Sequence, residues 1–216
     1  MMKKITRKNL RPFLERYASD KVVLEIGGGR LATNHSYEDL FPHRHTYDID
    51  PARLPDTVGD AHNLSFQDSS FEFILCTEVL EHLHTPQQAI SEMGRVLKPG
   101  GTLILTTRFV FPIHDAPHDY FRYTKYGLTH LFKDWEITEL TAETQTMSAV
   151  GALIQRVGFQ TDMRGGKFSK AVLYGLAWAF DHCNGLLLKE YGDIKKQEPD
   201  RDIITTGYYL AVKLKS

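Results

Sequence analysis

The sequence predicts an α/β fold built on a doubly wound, mostly parallel sheet, and three observations carry that prediction. Apolar runs with few charges recur at Val22 to Ile26, His45 to Ile49, Phe71 to Cys76 and Thr102 to Thr107, as strands buried on both faces do. A turn or a helical pattern follows each run. Strand and helix therefore alternate, which is the pattern of a sheet wound with crossover helices.

The clearest helix is expected over Thr85 to Leu97, where Ala89, Ile90, Met93, Val96 and Leu97 fall on one face and Lys98-Pro99-Gly100-Gly101 ends the pattern. Upstream, Ile5 to Ala18 reads as a helix packed on the sheet edge. The cluster Lys3, Lys4, Arg7, Lys8 and Arg11 near its start reads as a solvated face. Downstream, Thr124 to Phe132 reads as a helix with Thr124 as its cap, and Trp135 to Thr141 and Thr206 to Leu214 read as β segments. The connection between those two segments, about 147 to 202, is longer than a hairpin needs and is expected to carry helices and a function of its own. Its apolar stretch from Ala171 to Leu188 is interrupted by Asp181, His182 and Asn184 and falls short of the ~20 apolar residues of a spanning helix. It is expected to pack on the core, with a lid or a membrane-surface element as the alternatives.

The chain of 216 residues suits one domain. Its 42% apolar and 25% charged residues exclude disordered, collagen-like and membrane-spanning classes. A formal net charge of -1 gives no general attraction to nucleic acid. Only two cysteines, Cys76 and Cys183, make a disulfide framework unlike this chain and point to a reducing compartment. With a polar start and no signal-like segment, the cytoplasm is the expected location.

Val23-Leu-Glu25-Ile-Gly27-Gly28-Gly29-Arg30 sets a glycine turn directly after the first strand, where backbone N–H groups can approach a ligand closely. Gly27-x-Gly29-x-x-Ala32 with Asp48 further on also satisfies the loose dinucleotide pattern, so this turn alone leaves the ligand open. Glu25 narrows the choice. A carboxylate at the end of a buried strand needs a compensating partner, which a cofactor ammonium or the loop's own N–H groups would supply.

From here the sequence resembles the class I S-adenosylmethionine-dependent methyltransferases, in type 11-like form, over about 125 residues. Glu25-x-Gly27-x-Gly29 is similar to the family's first motif, and Tyr47-Asp48-Ile49-Asp50 to its second-strand motif, with Asp48 rather than Asp50 as the ribose ligand. Gly59-Asp60-Ala61 resembles the third-strand motif beside the adenine. Cys76-Thr77-Glu78-Val-Leu-Glu81-His82 resembles the segment flanking the methionine portion, and Arg95 to Gly101 the helix end before strand five. Leu31 departs from the pattern, standing where many members have a third glycine. The resemblance implies a seven-stranded Rossmann-like sheet with a helical insert before the last strand. It also implies S-adenosylmethionine as cofactor, held by Glu25, Gly27, Gly28, Gly29, Asp48, Ile49, Asp60, Ala61, Thr77 and Glu78. On that basis the single domain 1–216 divides into an N-terminal helix (1–20), a cofactor-binding core (21–146), a helical insert or lid (147–202) and a final strand (203–216).

The segment Phe109 to Thr124 gathers His114, Asp115, His118, Asp119, Tyr120, Arg122 and Tyr123 just after the fifth strand. Ligands of open α/β sheets bind beyond the carboxyl ends of the strands. The segment is similar to one in methyltransferases encoded among glycan and other secondary biosynthetic genes, which implies a small polar or sugar-like acceptor. His114 and His118 are the candidate bases for O-methylation, since an unperturbed imidazole titrates near ~6.5. His82, Asp119, Tyr120, Arg122 and Tyr123 are the candidate acceptor contacts, although Asp119 and Arg122 could equally pair with each other. His114-x-x-x-His118 with Asp115 has the residue types of a metal site, but the intervening prolines break the register, and no metal is expected. The alternatives are an NAD(P)-dependent oxidoreductase, which leaves Glu25, Asp60 and Thr77-Glu78 unexplained, and a non-catalytic adenosyl-binding module. The expected partners are the acceptor and a second copy of the chain in a homodimer, without nucleic acid or a stable membrane span.

Overall fold

A computed structural model describes residues 4–31 and 37–215; Lys3 and Ala32, named above, lie outside them. The chain gathers into two compact units. One comprises Leu10–Arg108, Ile113–Thr141 and Tyr208–Ser216, the other Met1–Asn9, Phe109–Pro112 and Ala142–Gly207.

The first unit carries the main sheet: β1 (Val23–Ile26), β2 (Arg44–Asp48), β3 (Thr57–Val58), β4 (Phe71–Thr77), β5 (Leu97–Arg108), β6 (Glu136–Ala142) and, last in the chain, β9 (Gly207–Lys213), in the order β3-β2-β1-β4-β5-β9-β6. β1 pairs parallel with both β2 and β4, and β4 parallel with β5. The chain runs outward from β1 to β3 and then returns to the far side of β1. That reversal is the topological switch point at which such sheets bind ligands. The expected seven-stranded, mostly parallel fold is therefore present.

The buried faces follow from the apolar runs. Leu10, Phe13 and Leu14 of α1 (Leu10–Glu15) pack with Leu75 of β4, Ile104 of β5 and Tyr209 of β9 in one core cluster. Each such side chain contributes on the order of 1.5 to 3 kcal/mol when removed from water. α2 (Pro86–Val96) starts on a proline at its first turn and buries Ala89, Ile90, Met93 and Val96. α3 (Lys125–Leu131) is capped as the sequence predicts, Thr124 Oγ1 accepting from the Gly127 N–H at 3.0 Å. Two boundaries differ from expectation. The first helix is the short Leu10–Glu15, and Leu97–Gly101 belongs to β5 instead of a turn, because Leu97 pairs with Phe71 across a register shift.

The second unit holds α4 (Thr146–Gln160) and α5 (Gly166–His182), followed by an antiparallel pair, β7 (Glu190–Asp193) and β8 (Glu198–Asp200), that the sequence did not announce. Asn184 Oδ1 accepts from the N–H groups of Met147 and Ser148, supplying the first turn of α4 with an acceptor. The two helices run close where Gly151 faces α5; a Cβ there would come within 2.6 Å of the Ala177 carbonyl oxygen. Among the described residues no helix is long and apolar enough to cross a membrane.

Candidate cofactor and acceptor site

The first half of the site lies at the carboxyl ends of β1 and β2. Gly27 has a φ of +81°, and a Cβ on it would sit 2.2 Å from Val79 Cγ2, so only glycine suits the turn. At Gly29 a Cβ would come within 2.4 Å of the Arg53 carbonyl oxygen, which also accepts from the Leu31 N–H at 3.0 Å. The buried Gly28 completes this loop. Glu25, whose compensation the sequence left open, lies 3.1 Å from Arg44 Nε and accepts from the Tyr37 hydroxyl at 3.1 Å. The same hydroxyl reaches Thr77 Oγ1 at 3.1 Å. Burial and the Glu25 charge push the Tyr37 phenol well above its ordinary range, so it stays protonated and donates.

Asp48 and Asp50 have separate duties. Asp50 caps the 3-10 turn after β2, its Oδ1 accepting from the Ala52 N–H at 2.9 Å. Asp48 is buried, with Oδ1 on the Asp50 N–H at 2.8 Å and Oδ2 3.2 Å from Arg53 Nη1. Ile49 between them is 68% exposed. Asp60 accepts from the His62 N–H at 2.9 Å and lies 2.6 Å from His62 Nδ1. The Thr85 N–H donates to His62 Nε2, so the imidazole proton sits on Nδ1 and points at Asp60. Partial burial would raise the Asp60 carboxyl, but these two bonds hold it below the usual range. The small, buried Ala61 follows it.

The second half lies at the ends of β4 and β5. Glu78 adopts a φ of +58°, rare for a residue with a side chain. It is held by a salt bridge to Arg108 and by Thr106 Oγ1 at 3.0 Å. Arg108 is almost wholly buried. Glu81 is completely buried; Thr107 Oγ1 donates to its Oε2 at 2.7 Å, while its Oε1 accepts no hydrogen bond among the described residues. Burial, with Glu78 close by, pushes the Glu81 carboxyl up to about 8. Sequence inspection missed Arg108, and had no signal for the role of Glu81. Their tight cluster only becomes visible once β4 and β5 are adjacent.

Ile113 to Tyr123 folds over this half and is tied to it through main-chain bonds. The N–H groups of Tyr120 and Phe121 donate to the Glu81 carbonyl at 2.9 and 3.2 Å, and the Tyr123 N–H donates to the Arg108 carbonyl at 2.9 Å. Tyr123 is buried and its hydroxyl donates to the Leu80 carbonyl at 3.2 Å, whereas Tyr120 is exposed. Asp119 and Arg122 do pair with each other, through two bonds of 2.7 and 2.6 Å. Burial opposes ionisation of Asp119, yet Arg122 and the His114 N–H, which donates to it at 3.0 Å, hold its carboxyl down at about 2. His82 and His114 meet edge to face with ring centroids 4.8 Å apart. Burial and the neighbouring His82 lower the His114 imidazole below its ordinary value, which keeps it neutral at physiological pH. His118 is exposed, with Nδ1 3.2 Å from the Tyr120 hydroxyl, and its main-chain carbonyl lies 2.6 Å from His82 Nδ1. The structure thus brings His114, His82 and Glu81 together and leaves the His118 ring outside that group.

Residues 24–105 match the family described as Methyltransferase domain. A norajmaline N-methyltransferase from Rauvolfia serpentina is 40% identical over 48 residues, which is 22% of this chain and 16% of that protein. A ubiquinone/menaquinone biosynthesis C-methyltransferase from Laribacter hongkongensis is 42% identical over 52 residues, 24% of this chain and 21% of that protein. The chain therefore spans about a fifth of the length of these relatives. In fold, it superposes on a SAM-dependent methyltransferase from Methanosarcina mazei with a TM-score of 0.52 at 15% identity, over 94% of this chain and 97% of that one. The strand order, the glycine turn with its strand-end acids and the matched segment agree: the chain has the fold of the S-adenosylmethionine-dependent methyltransferases, and its residues 24–105, less than half of it, match the family described as Methyltransferase domain.

Proposed function

We propose that the chain methylates a small polar or sugar-like acceptor, at oxygen, using S-adenosylmethionine. The observation that carries the acceptor half of this reading is the meeting of His114, His82 and Glu81 beyond the ends of β4 and β5, next to the strand-end acids. A site that only bound an adenosyl ligand would have no use for such a cluster.

The donor set fits the cofactor. Asp48 and Asp60 are acceptors suited to hydroxyl and amino groups, and Ile49 is an exposed apolar side chain beside them. When bound, S-adenosylmethionine supplies an electrophilic methyl group on a sulfonium. Asp48 receives the ribose hydroxyls in exchange for the half-exposed Arg53, and Asp60 receives the adenine amino group. Ile49 and Ala61 cover the ring. Gly27, Gly28 and Gly29 let the backbone approach, while Glu25, Thr77 and Glu78 line the methionine end, Glu25 sharing its carboxylate between Arg44 and the ammonium. Tyr120 and His82 contact the acceptor; Asp119, Arg122 and Tyr123 hold the loop that carries them. His114, neutral and half-buried, takes the acceptor proton, with His118 as the more exposed candidate. The choice of oxygen rests on these histidines. A cytoplasmic setting and self-association belong to the same proposal, the former supported by two free thiols.

Calorimetry tests the cofactor half: S-adenosylhomocysteine should bind and NAD or NADP should not, and the reverse result would return the chain to the oxidoreductases. For the acceptor half, His114→Ala should lower turnover by about 10² to 10⁴, the usual worth of general base catalysis, with S-adenosylhomocysteine affinity nearly unchanged. Full turnover in both His114→Ala and His118→Ala would remove the base from the mechanism.

A further inference from the structure

We infer that Glu81, His82 and His114 form a binding site for a divalent transition-metal ion of the zinc type. One carboxylate oxygen and one nitrogen from each imidazole lie within 4.8 Å of one another. Bonds of ~2.0 to 2.1 Å in a tetrahedral site set ligand atoms about 3.4 Å apart, so rotations of the side chains by less than an ångström or so close the site.

Two kinds of observation separate this cluster from a chance meeting of polar groups. The first is that two of the three ligands, His82 and Glu81, have their outer atom fixed by a hydrogen bond. His82 Nδ1 lies 2.6 Å from the His118 carbonyl and must donate to it, which leaves Nε2 as the lone-pair nitrogen. Thr107 Oγ1 donates to Glu81 Oε2 at 2.7 Å. Asp119, itself clamped by Arg122, accepts from the main-chain N–H of His114 at 3.0 Å and places its carboxylate 3.6 Å from His114 Nδ1, on the side of the ring. Histidines that bind metals usually donate their second nitrogen to a carbonyl or carboxylate in this way.

The second observation is Glu81 Oε1. It is fully buried and accepts no hydrogen bond among the described residues, although a buried acceptor normally has a partner. Arg108, the nearby guanidinium, is already engaged by Glu78. A cation between Glu81 and the two imidazoles would supply the missing partner. Two nitrogens and one oxygen favour zinc, cobalt, nickel, iron or manganese over magnesium or calcium. Both imidazoles keep some exposure, with side chains 19% accessible, so an ion can enter and a fourth position stays open.

The inference rests on the acceptor reading above and refines it: an acceptor oxygen would occupy the open position, and His114 would serve as a ligand in place of a free base. The pairing also explains how a metal site escapes the sequence pattern, since His114 finds His82, 32 positions earlier, and not His118.

The test uses the tag-free chain, stripped with a chelator and titrated with Zn²⁺ and with Co²⁺. One Zn²⁺ should bind per chain, and Co²⁺ should give the visible absorption of a four-coordinate site. His114→Ala and His82→Ala should each lower Zn²⁺ affinity by roughly 10- to 100-fold or more, while S-adenosylhomocysteine affinity stays unchanged. Because Glu81 is buried, Glu81→Gln is read only after circular dichroism confirms the fold; the two histidine variants carry the test if it fails to fold. Absence of Zn²⁺ and Co²⁺ binding by the stripped chain, or binding that neither histidine variant weakens, overturns the site. Loss of turnover in His114→Ala with full activity in the metal-free chain also overturns it, while leaving the base reading intact.

Discussion

The two halves of the carboxyl edge treat buried charge in opposite ways. At β1 and β2 every acid has a nearby donor of its own: Arg44 and Tyr37 for Glu25, Arg53 for Asp48, His62 for Asp60. Arg53 and Asp60 are about half exposed, so a ligand can exchange for these partners at little cost. At β4 and β5 two carboxyl groups, Glu78 and Glu81, lie in the field of one buried guanidinium, Arg108, and Glu78 takes the ion pair. The first arrangement can be displaced. The second is a fixed electrostatic frame whose balance depends on a single side chain.

The largest expected effect breaks that frame. Arg108→Met keeps the bulk but leaves Glu78 with a buried charge, a change that typically costs about 3 to 5 kcal/mol; urea unfolding followed by circular dichroism should show the midpoint falling accordingly. A loss under 1 kcal/mol would mean that solvent already screens the pair and that the two halves do not differ. Next comes Asp48→Ala, expected to weaken S-adenosylhomocysteine about 10- to 100-fold, the equivalent of roughly 1 to 3 kcal/mol of hydrogen bonding. Equal binding by a folded variant would move the ribose contact elsewhere. Arg53→Ala sharpens the contrast, because a partner that the ligand displaces should change affinity by less than about fivefold, in either direction. A loss as large as that of Asp48→Ala would place Arg53 among the ligand contacts.

The smallest effect is a pH dependence. The folded Asp60 carboxyl lies below its unfolded value, so its pairing with His62 contributes stability above the unfolded range near ~3.9 and loses it as the pH falls through the folded value. Asp60→Asn should therefore flatten the acid limb of the stability curve slightly and leave stability above pH 5 with little further pH dependence from this site. A variant whose acid limb matches the parent would show that His62 does not hold the carboxylate in solution.

The first half of the edge was legible in the sequence and most of the second was not. Gly27, Asp48 and Asp60 sit at or just past the ends of strands, and a position at the end of such a run has one structural meaning. Of the two acids near the end of β2, Asp50 spends its carboxylate on the turn, while Asp48 is buried beside Arg53. Arg44 could not be matched to Glu25 because parallel pairing of β1 and β2, which aligns Val23 with Arg44, is invisible in one dimension. The same limit hid the Glu78–Arg108 pair and the meeting of His82 with His114. Periodicity also misjudged Leu97–Gly101: a Pro-Gly-Gly run signals a turn, yet cross-strand pairing with Phe71 holds Leu97 in the sheet. The hairpin of β7 and β8 rests on short polar strands that carry no alternating pattern.

Gly27 leaves a mark on how such a protein could change over generations. A side chain there meets Val79 at once, and trimming Val79 first would still leave a backbone turned to +81°. Both orders of substitution are closed, so the turn is inherited whole and offers no small steps. The loop from Ile113 to Tyr123 is held chiefly by main-chain bonds to Glu81 and Arg108, which remain whatever side chains it displays. Exposed positions such as Ile113 and Tyr120 can be exchanged without disturbing those bonds. If the acceptor lies against this loop as proposed, changes in what the protein acts upon would fall on that edge of the site and spare the glycine turn.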